Sequence, residues 1–147
     1  MGLQAIPVSI LSTLPETDVL ALIQAAWEAR ANAHVPFSGF RVGAALLCAD
    51  GRVFLGCNVE ASNYSLTVCA ERVALLKAVS EGVRQFRAIA IATAAEMPTP
   101  PCGSCRQLLW ELCGDIPVIA ANGSGARKTF TLAQLLPEPF GAGSFQK

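Results

Sequence analysis

Charge is scarce in this sequence. Asp, Glu, Lys and Arg make up 15% of its 147 residues, against about 25% in an average soluble domain. The 11 acidic and 11 basic side chains cancel, and the basic ones are scattered along the chain. A protein that grips a phosphate backbone usually displays a basic face. Its absence argues against a nucleic-acid partner and for a small free substrate. No Lys or Arg precedes Arg30, so the basic start of a secretory signal is missing. No uninterrupted apolar stretch is long enough to span a bilayer. Ile6 stands where a myristoylation signal opening on Met1-Gly2 requires Ser or Thr. Six cysteines without a secretory leader read as reduced thiols or metal ligands rather than as a disulfide framework. Together these absences lead to the expectation of a soluble, cytoplasmic protein with no membrane partner.

What is present is apolar bulk. Hydrophobic residues are 52% of the chain, enough for one domain over 1–147 with a large core or with surfaces buried against other subunits. Residues 1–12 carry no period and read as a loosely ordered lead-in. Thr13 and Glu16 have capping-box spacing, with Pro15 in the first turn. Val19, Leu20, Ile23 and Trp27 then recur at helical spacing to about Ala33. After a Pro/Gly/Ser loop, 40–49 and 53–57 form a strand pair across Asp50-Gly51.

Residues 58–67 are polar and irregular, and a helix follows from about Cys69 to Glu81, ended by Gly82. The apolar run 86–93 suits a strand buried on both faces. A helix from near Cys102 to Gly114, strands at 117–121 and 128–131, and a last helical turn at 132–136 complete the chain, with a tail from about 137. No linker or internal repeat divides it. Helices alternating with buried strands predict an α/β fold, a three-layer α/β/α domain on a mixed five-stranded sheet.

Two short motifs carry chemistry: Cys69-Ala70-Glu71 and Pro101-Cys102-Gly103-Ser104-Cys105. Three thiols supply three ligands to a tetrahedral zinc and leave the fourth position for water. Structural zinc sites are usually closed by four protein ligands, whereas catalytic sites keep one position open. Glu71, two residues from a ligand, is placed to handle protons on that water without binding the metal. Ligand-x-Glu followed by Pro-Cys-x-x-Cys is the signature of zinc-dependent nucleobase deaminases, here with Cys in place of the usual first His.

Cys69 and Cys102 fall at the starts of two different helices, with Cys105 one turn along the second. Helix N-termini offer unpaired N–H groups and partial positive charge, which favour thiolates. Zinc with three thiolates still keeps one excess negative charge, which raises the pKa of a bound water. Arg72, beside Glu71, can donate to sulfur and withdraw that charge.

Four segments resemble, in order, those of cytidine deaminases of the short, homotetrameric class. They are Phe40-Arg41-Val42-Gly43-Ala44-Ala45-Leu46, Gly56-Cys57-Asn58-Val59-Glu60, Cys69-Ala70-Glu71-Arg72 and Pro101-Cys102-Gly103-Ser104-Cys105-Arg106-Gln107. The resemblance covers nearly the whole chain. It implies hydrolysis of the 4-amino group of cytidine and deoxycytidine to uridine, deoxyuridine and ammonia. It further implies one zinc per chain on Cys69, Cys102 and Cys105, with Glu71 as proton shuttle. Glu71 would take a proton from water, protonate N3 of the ring and return a proton to the departing amine.

By the same resemblance Asn58 and Glu60 would hold the ribose 3′-hydroxyl, and Phe40 would pack beside the pyrimidine. The backbone N–H of Ala70 would meet the base. Phe140, in a tail reading Leu135-Leu136-Pro137-Glu138-Pro139-Phe140, would reach a neighbouring subunit's pocket. Tyr64 keeps a pocket position, but the family's Asn-Ala-Ser-Tyr reads Ala61-Ser62-Asn63-Tyr64 here. That change puts in question a 5′-hydroxyl contact made across a subunit boundary. The implied partners are a small nucleoside and three further copies of the chain.

Blander readings stand beside these. Cys102 and Cys105 alone fit a structural zinc site, with Cys113 or His34, the only histidine, as fourth ligand. A zinc-stabilised scaffold whose pocket no longer turns over is the rival of different class, and Glu71 argues against it because a scaffold has no use for a proton shuttle. Related deaminases act on nucleotides, modified nucleosides or polynucleotide cytosines, but 58–64 lacks the basic cluster a nucleotide enzyme needs. Cys48, Cys57 and Cys113 read as core or interface residues, His34 as surface or hinge, and Trp27 and Trp110 as packing.

Overall fold

The structure, a computed structural model, describes residues 14–145. Five strands, β1 (Val42–Cys48), β2 (Val53–Cys57), β3 (Phe86–Thr93), β4 (Pro117–Asn122) and β5 (Arg127–Thr131), form one sheet in the order β2-β1-β3-β4-β5. Only β3 and β4 run parallel, and the other neighbours are antiparallel. The helices are α1 (Glu16–Ala29), α2 (Ala70–Ser80), α3 (Gly103–Cys113) and the short α4 (Leu132–Leu135).

Alternation along the strands builds two cores. Ala44, Leu46 and Cys48 of β1, with Ile89 and Ile91 of β3, meet Ala70, Ala74, Leu75 and Leu109 from α2 and α3. The intervening Ala45, Leu47, Ala88, Ala90 and Ala92 meet Leu22 and Ala26 of α1. Because successive side chains point to opposite faces, one set of strands supports helices on both sides, and the expected three-layer α/β/α domain on a mixed five-stranded sheet is what forms.

Small residues set how closely the helices approach. A methyl group on Gly43 would overlap the Ala26 carbonyl oxygen of α1, and one on Gly56 would overlap the Ala70 carbonyl oxygen in the first turn of α2. The N-terminus of α2 is thereby seated directly on β2. At its other end Gly82 adopts φ +88. The Gly82 and Val83 N–H groups donate to Val79 and Ala78 at 3.1 and 3.0 Å, the paired bonds of a glycine-terminated helix. The Asp50-Gly51 hairpin forms as expected, with Leu47 opposite Val53.

Three boundaries differ from the sequence reading. Helix α1 ends at Ala29 and tightens into a 3₁₀ turn at Arg30–Asn32, because Arg41 Nη1 captures the Ala31 and Ala33 carbonyls at 3.0 and 2.8 Å. Thr13 lies outside the described residues, and the N-cap position of α1 is Pro15, with no side-chain cap. Among the described residues a capping box forms at α4, where the Thr131 side chain accepts from Gln134 N at 3.0 Å and the Gln134 side chain accepts from Thr131 N at 2.9 Å. The first strand begins at Val42, so Phe40 precedes it.

Gly56→Ala should lower stability by about 1–3 kcal/mol, as expected when volume is forced into a packed contact. Thermal unfolding measures it, and a variant that melts with the parent would show that α2 can shift without cost.

Candidate active site

Two helix starts converge at the carboxyl end of β3. Cys69 is the N-cap of α2 and Cys102 the N-cap of α3, both with extended backbone, and Cys105 lies in the first turn of α3. A bridge between Val59 and Val68, with N–H···O distances of 2.9 and 3.0 Å, closes the irregular segment. It brings Asn58, just before Val59, to the same cavity as Cys69, just after Val68. The loop bearing Cys102 is tied down by Arg106, whose Nε donates to the Pro101 carbonyl at 2.7 Å and Nη1 to the Leu135 carbonyl at 2.9 Å.

The sulfurs of Cys69, Cys102 and Cys105 all lie within 4.8 Å of one another, and the Cys69 and Cys102 sulfurs are 3.8 Å apart. Thiolates on a tetrahedral zinc with Zn–S of about 2.3 Å stand roughly 3.8 Å from each other, so the donor set and its spacing fit zinc. Cys105 is buried and Cys102 exposed, which leaves the cluster closed on one side and open on the other. Among the described residues no further His, Cys, Asp or Glu joins this group. Cys113 is at the far end of α3, about 12 Å along the axis from Cys105. His34 is exposed and bridged to Val59. Neither is placed to act as a fourth ligand.

Charge at the cluster is shared rather than distributed evenly. The Cys69 pKa is brought down to about 5, first by the hydrogen bond from the Cys105 thiol, then by Arg72 and Cys102. Cys105 is raised for the matching reason, since it gives its proton to that bond and is buried. The two thiols share one proton, held on Cys105, which metal binding must displace. Burial works against the Arg72 charge, yet the hydrogen bond to Cys69 and the neighbouring Cys105 and Cys102 sulfurs raise its pKa. Arg72 Nη2 lies 4.0 Å from the Cys69 sulfur and donates to the Thr67 carbonyl at 2.9 Å. Its Nε is buried without a protein partner.

Glu71 is 5% exposed, and its pKa is pushed up to about 7, first by burial and then by the Cys69 charge. It lines a cavity of about 240 Å³ together with Phe40, Val42, Asn58, Thr67, Cys69, Ala70, Ile91, Thr93, Thr99, Pro100 and Cys102. Of the candidate residues, then, Glu71, Cys69, Cys102, Phe40, Asn58 and Ala70 share one cavity wall. Cys105 backs it, and Arg72 stands behind Cys69.

Three candidates lie outside this wall. The Glu60 carboxylate is occupied by Ser38. Tyr64 is 72% exposed and stacks edge-on against Phe37 at 5.7 Å. Phe140 packs on Phe145 at 5.4 Å, and its carbonyl accepts from Gln107 Nε2 at 2.7 Å. Asn63 uses its side-chain oxygen to accept from Ser65 N and Oγ at 3.2 and 2.6 Å, capping a 3₁₀ turn at Tyr64–Leu66.

Residues 16–120 match the family described as cytidine and deoxycytidylate deaminase zinc-binding region. The chain belongs to this family. A cytidine deaminase of Sporosarcina psychrophila is 51% identical over 124 residues, covering 84% of this chain and 91% of the relative. One of Halalkalibacterium halodurans is 50% identical over 126 residues, 85% of this chain and 96% of the relative. The crystal structure of cytidine deaminase from Burkholderia pseudomallei superposes with a TM-score of 0.81 at 43% identity, covering 86% of this chain and all of that one (100%). Zinc is thus the metal of this fold family, and the thiol cluster is positioned to hold it.

Sequence reasoning missed the threonines of the wall. Thr93 is fully buried, and its hydroxyl is 3.1 Å from that of Thr99. A signal existed for Thr93, a polar residue closing an apolar run at the carboxyl end of a parallel strand, where α/β sheets bind ligands. Thr67 and Thr99 sit in loops and carried none.

Metal analysis should return one zinc per chain for the parent and for Cys113→Ser, and well under one for Cys69→Ser, Cys102→Ser or Cys105→Ser. A comparable loss in Cys113→Ser would place a fourth protein ligand in the site.

Proposed function

We propose that this chain is a cytidine deaminase, converting cytidine and deoxycytidine with water to uridine or deoxyuridine and ammonia. The observation that carries this reading is a buried carboxyl, Glu71, set beside an open three-thiol cluster in a cavity walled by an aromatic and polar groups. Cys69, Cys102 and Cys105 would hold the zinc, which would supply Lewis acidity toward water.

The residues do the rest. Phe40 offers an apolar face to the pyrimidine, and the Ala70 N–H, in the first turn of α2 where no intrahelical acceptor exists, is available to the base. Glu71, raised to about 7, exchanges a proton readily near neutral pH. It accepts one from the attacking water and delivers it to ring N3, so that C4 becomes electrophilic, and after addition it accepts the second proton from the oxygen now on C4 and passes it to the departing amine. Each transfer is short, because Glu71 flanks the thiol cluster and faces the cavity. Arg72 and the two helix N-termini draw negative charge off the sulfurs. Asn58 and Glu60, next but one to each other, take the ribose end.

Exposed apolar side chains support a homotetramer. Phe37, Tyr64 and Leu66 are 49%, 72% and 66% exposed, and Phe140 is 57% exposed, more than a lone chain ordinarily leaves to water in neighbouring positions. Assembly would bring Tyr64 and Phe140 to a neighbour's site. The activity for which the relatives are named supports a role in pyrimidine salvage. No helix among the described residues is long and apolar enough to cross a membrane, which accords with the cytoplasmic reading.

Ultraviolet spectra of the zinc-loaded protein with cytidine test the reading directly, since loss of the amine changes the chromophore. Glu71→Gln should cut turnover by at least about a hundredfold with zinc content unchanged. Near-parental activity in that variant would assign the proton transfers elsewhere. Arg72→Ala should lower activity, and adding Cys102→His should partly restore it, because neutral imidazole removes one negative charge from the cluster. Two losses that merely add would refute the charge-balance argument.

A further inference from the structure

The loop from His34 to Arg41 is closed at its base by main chain. His34 N donates to the Asn58 carbonyl at 3.0 Å, and Glu60 N to the His34 carbonyl at 2.8 Å. The loop doubles back at Gly39, with φ +67 and its N–H donating to the Val35 carbonyl at 3.0 Å. One hydroxyl holds its crest. Ser38 Oγ donates to Glu60 Oε1 at 2.8 Å and accepts from Phe40 N at 3.0 Å. Ser38 N is shared between both Glu60 oxygens, at 3.2 Å each. Phe40 is fixed from its other side by Asn58, whose Nδ2 donates to the Phe40 carbonyl at 2.8 Å while Oδ1 accepts from Val42 N at 2.9 Å.

An ionised carboxylate has about four acceptor sites on its two oxygens. Ser38 takes up two on Oε1 and one on Oε2, which leaves a single site, on Oε2, for an outside donor. Glu60 lies beyond the cavity wall, so it meets only the part of a ligand that projects past the base. Phe40 lies in the wall itself. The same hydroxyl therefore governs the orientation of the group at the sugar end and the backbone of the group at the base end.

Resting on the nucleoside reading above, we propose that Ser38 is a positioning residue of the substrate site. Its hydroxyl locks the Glu60 carboxylate to the Phe40 backbone, so that base and sugar are read at a fixed separation and Glu60 keeps one acceptor for one sugar hydroxyl. Ser38 touches neither the metal nor the reacting carbon, so its effect falls on binding and on sugar discrimination rather than on the chemical step.

The test compares zinc-loaded parent, Ser38→Ala and Ser38→Thr on cytidine and on 3′-deoxycytidine. Cytidine is also titrated into Glu71→Gln with and without Ser38→Ala. Loss of two hydrogen bonds, one of them to a charged group, should raise KM for cytidine roughly tenfold in Ser38→Ala. In that variant kcat should stay within about twofold and KM for 3′-deoxycytidine within about threefold, because that nucleoside lacks the hydroxyl Glu60 reads and feels only the loosened Phe40 backbone. Ser38→Thr, which keeps the hydroxyl, should return KM to within about threefold of the parent, and cytidine binding in the Glu71→Gln background should weaken roughly tenfold on adding Ser38→Ala.

Unchanged KM and binding, an equal rise for both nucleosides, or a loss confined to kcat would each overturn the role. Absence of uridine from the parent would count against the deaminase reading alone, while the titration still decides Ser38.

Discussion

Three sulfurs held within 4.8 Å of one another repel as soon as more than one is ionised, and the rest of the molecule is arranged around making that tolerable. Two helices begin at the cluster, each aiming unpaired N–H groups and partial positive charge at it. A guanidinium, Arg72, adds a full charge against Cys69. Without these the thiols would keep their protons and the site would bind metal poorly, since metal affinity depends on giving protons up. The glycine at position 56 belongs to the same economy of space, because α2 can start where it does only if its first turn rests on bare backbone.

Geometry then sets the thiol cluster at the wall of a cavity. Strand β3 ends at the cavity, and the crossover from it to its parallel neighbour β4 carries Cys102 and Cys105. Burial of Glu71 raises its pKa into the range where it can both take and give a proton. Cys102 stays exposed while Cys105 is sealed, so the cluster is approachable from the side on which Phe40, Asn58 and Glu71 stand. Placement of the ligands at helix starts also gives them rigid support, which loop-borne ligands would lack.

Much of this was legible beforehand, for definite reasons. The five strands announce themselves through runs such as Ala88–Ala92, and Gly82 marks the end of α2 because only glycine takes φ near +88 without strain. The thiol spacing pointed to zinc because few other arrangements use Cys-x-Glu with Pro-Cys-x-x-Cys. Where the reading slipped, long-range contacts outweighed local preference. The chain tightens after α1 because Arg41, just before β1, takes the Ala31 and Ala33 carbonyls. The Thr13 capping box lies outside the described residues, while a box that forms at Thr131 and Gln134 has the same kind of spacing in a short terminal segment.

By itself the sequence determined the layers of the fold, the three thiols, the carboxyl beside them and the family to which they belong, because each of these is written in local spacing or composition. Tertiary structure alone decided which side groups share a wall. Asn58 and Glu60 look like equal partners in one extended segment, but in the fold Asn58 faces the cavity and Glu60 is turned to Ser38. Thr67, Thr93 and Thr99, silent as letters, meet there too. Hydrogen bonds between residues far apart in the chain leave no period to read, so only the closed loop and the packed sheet end reveal them.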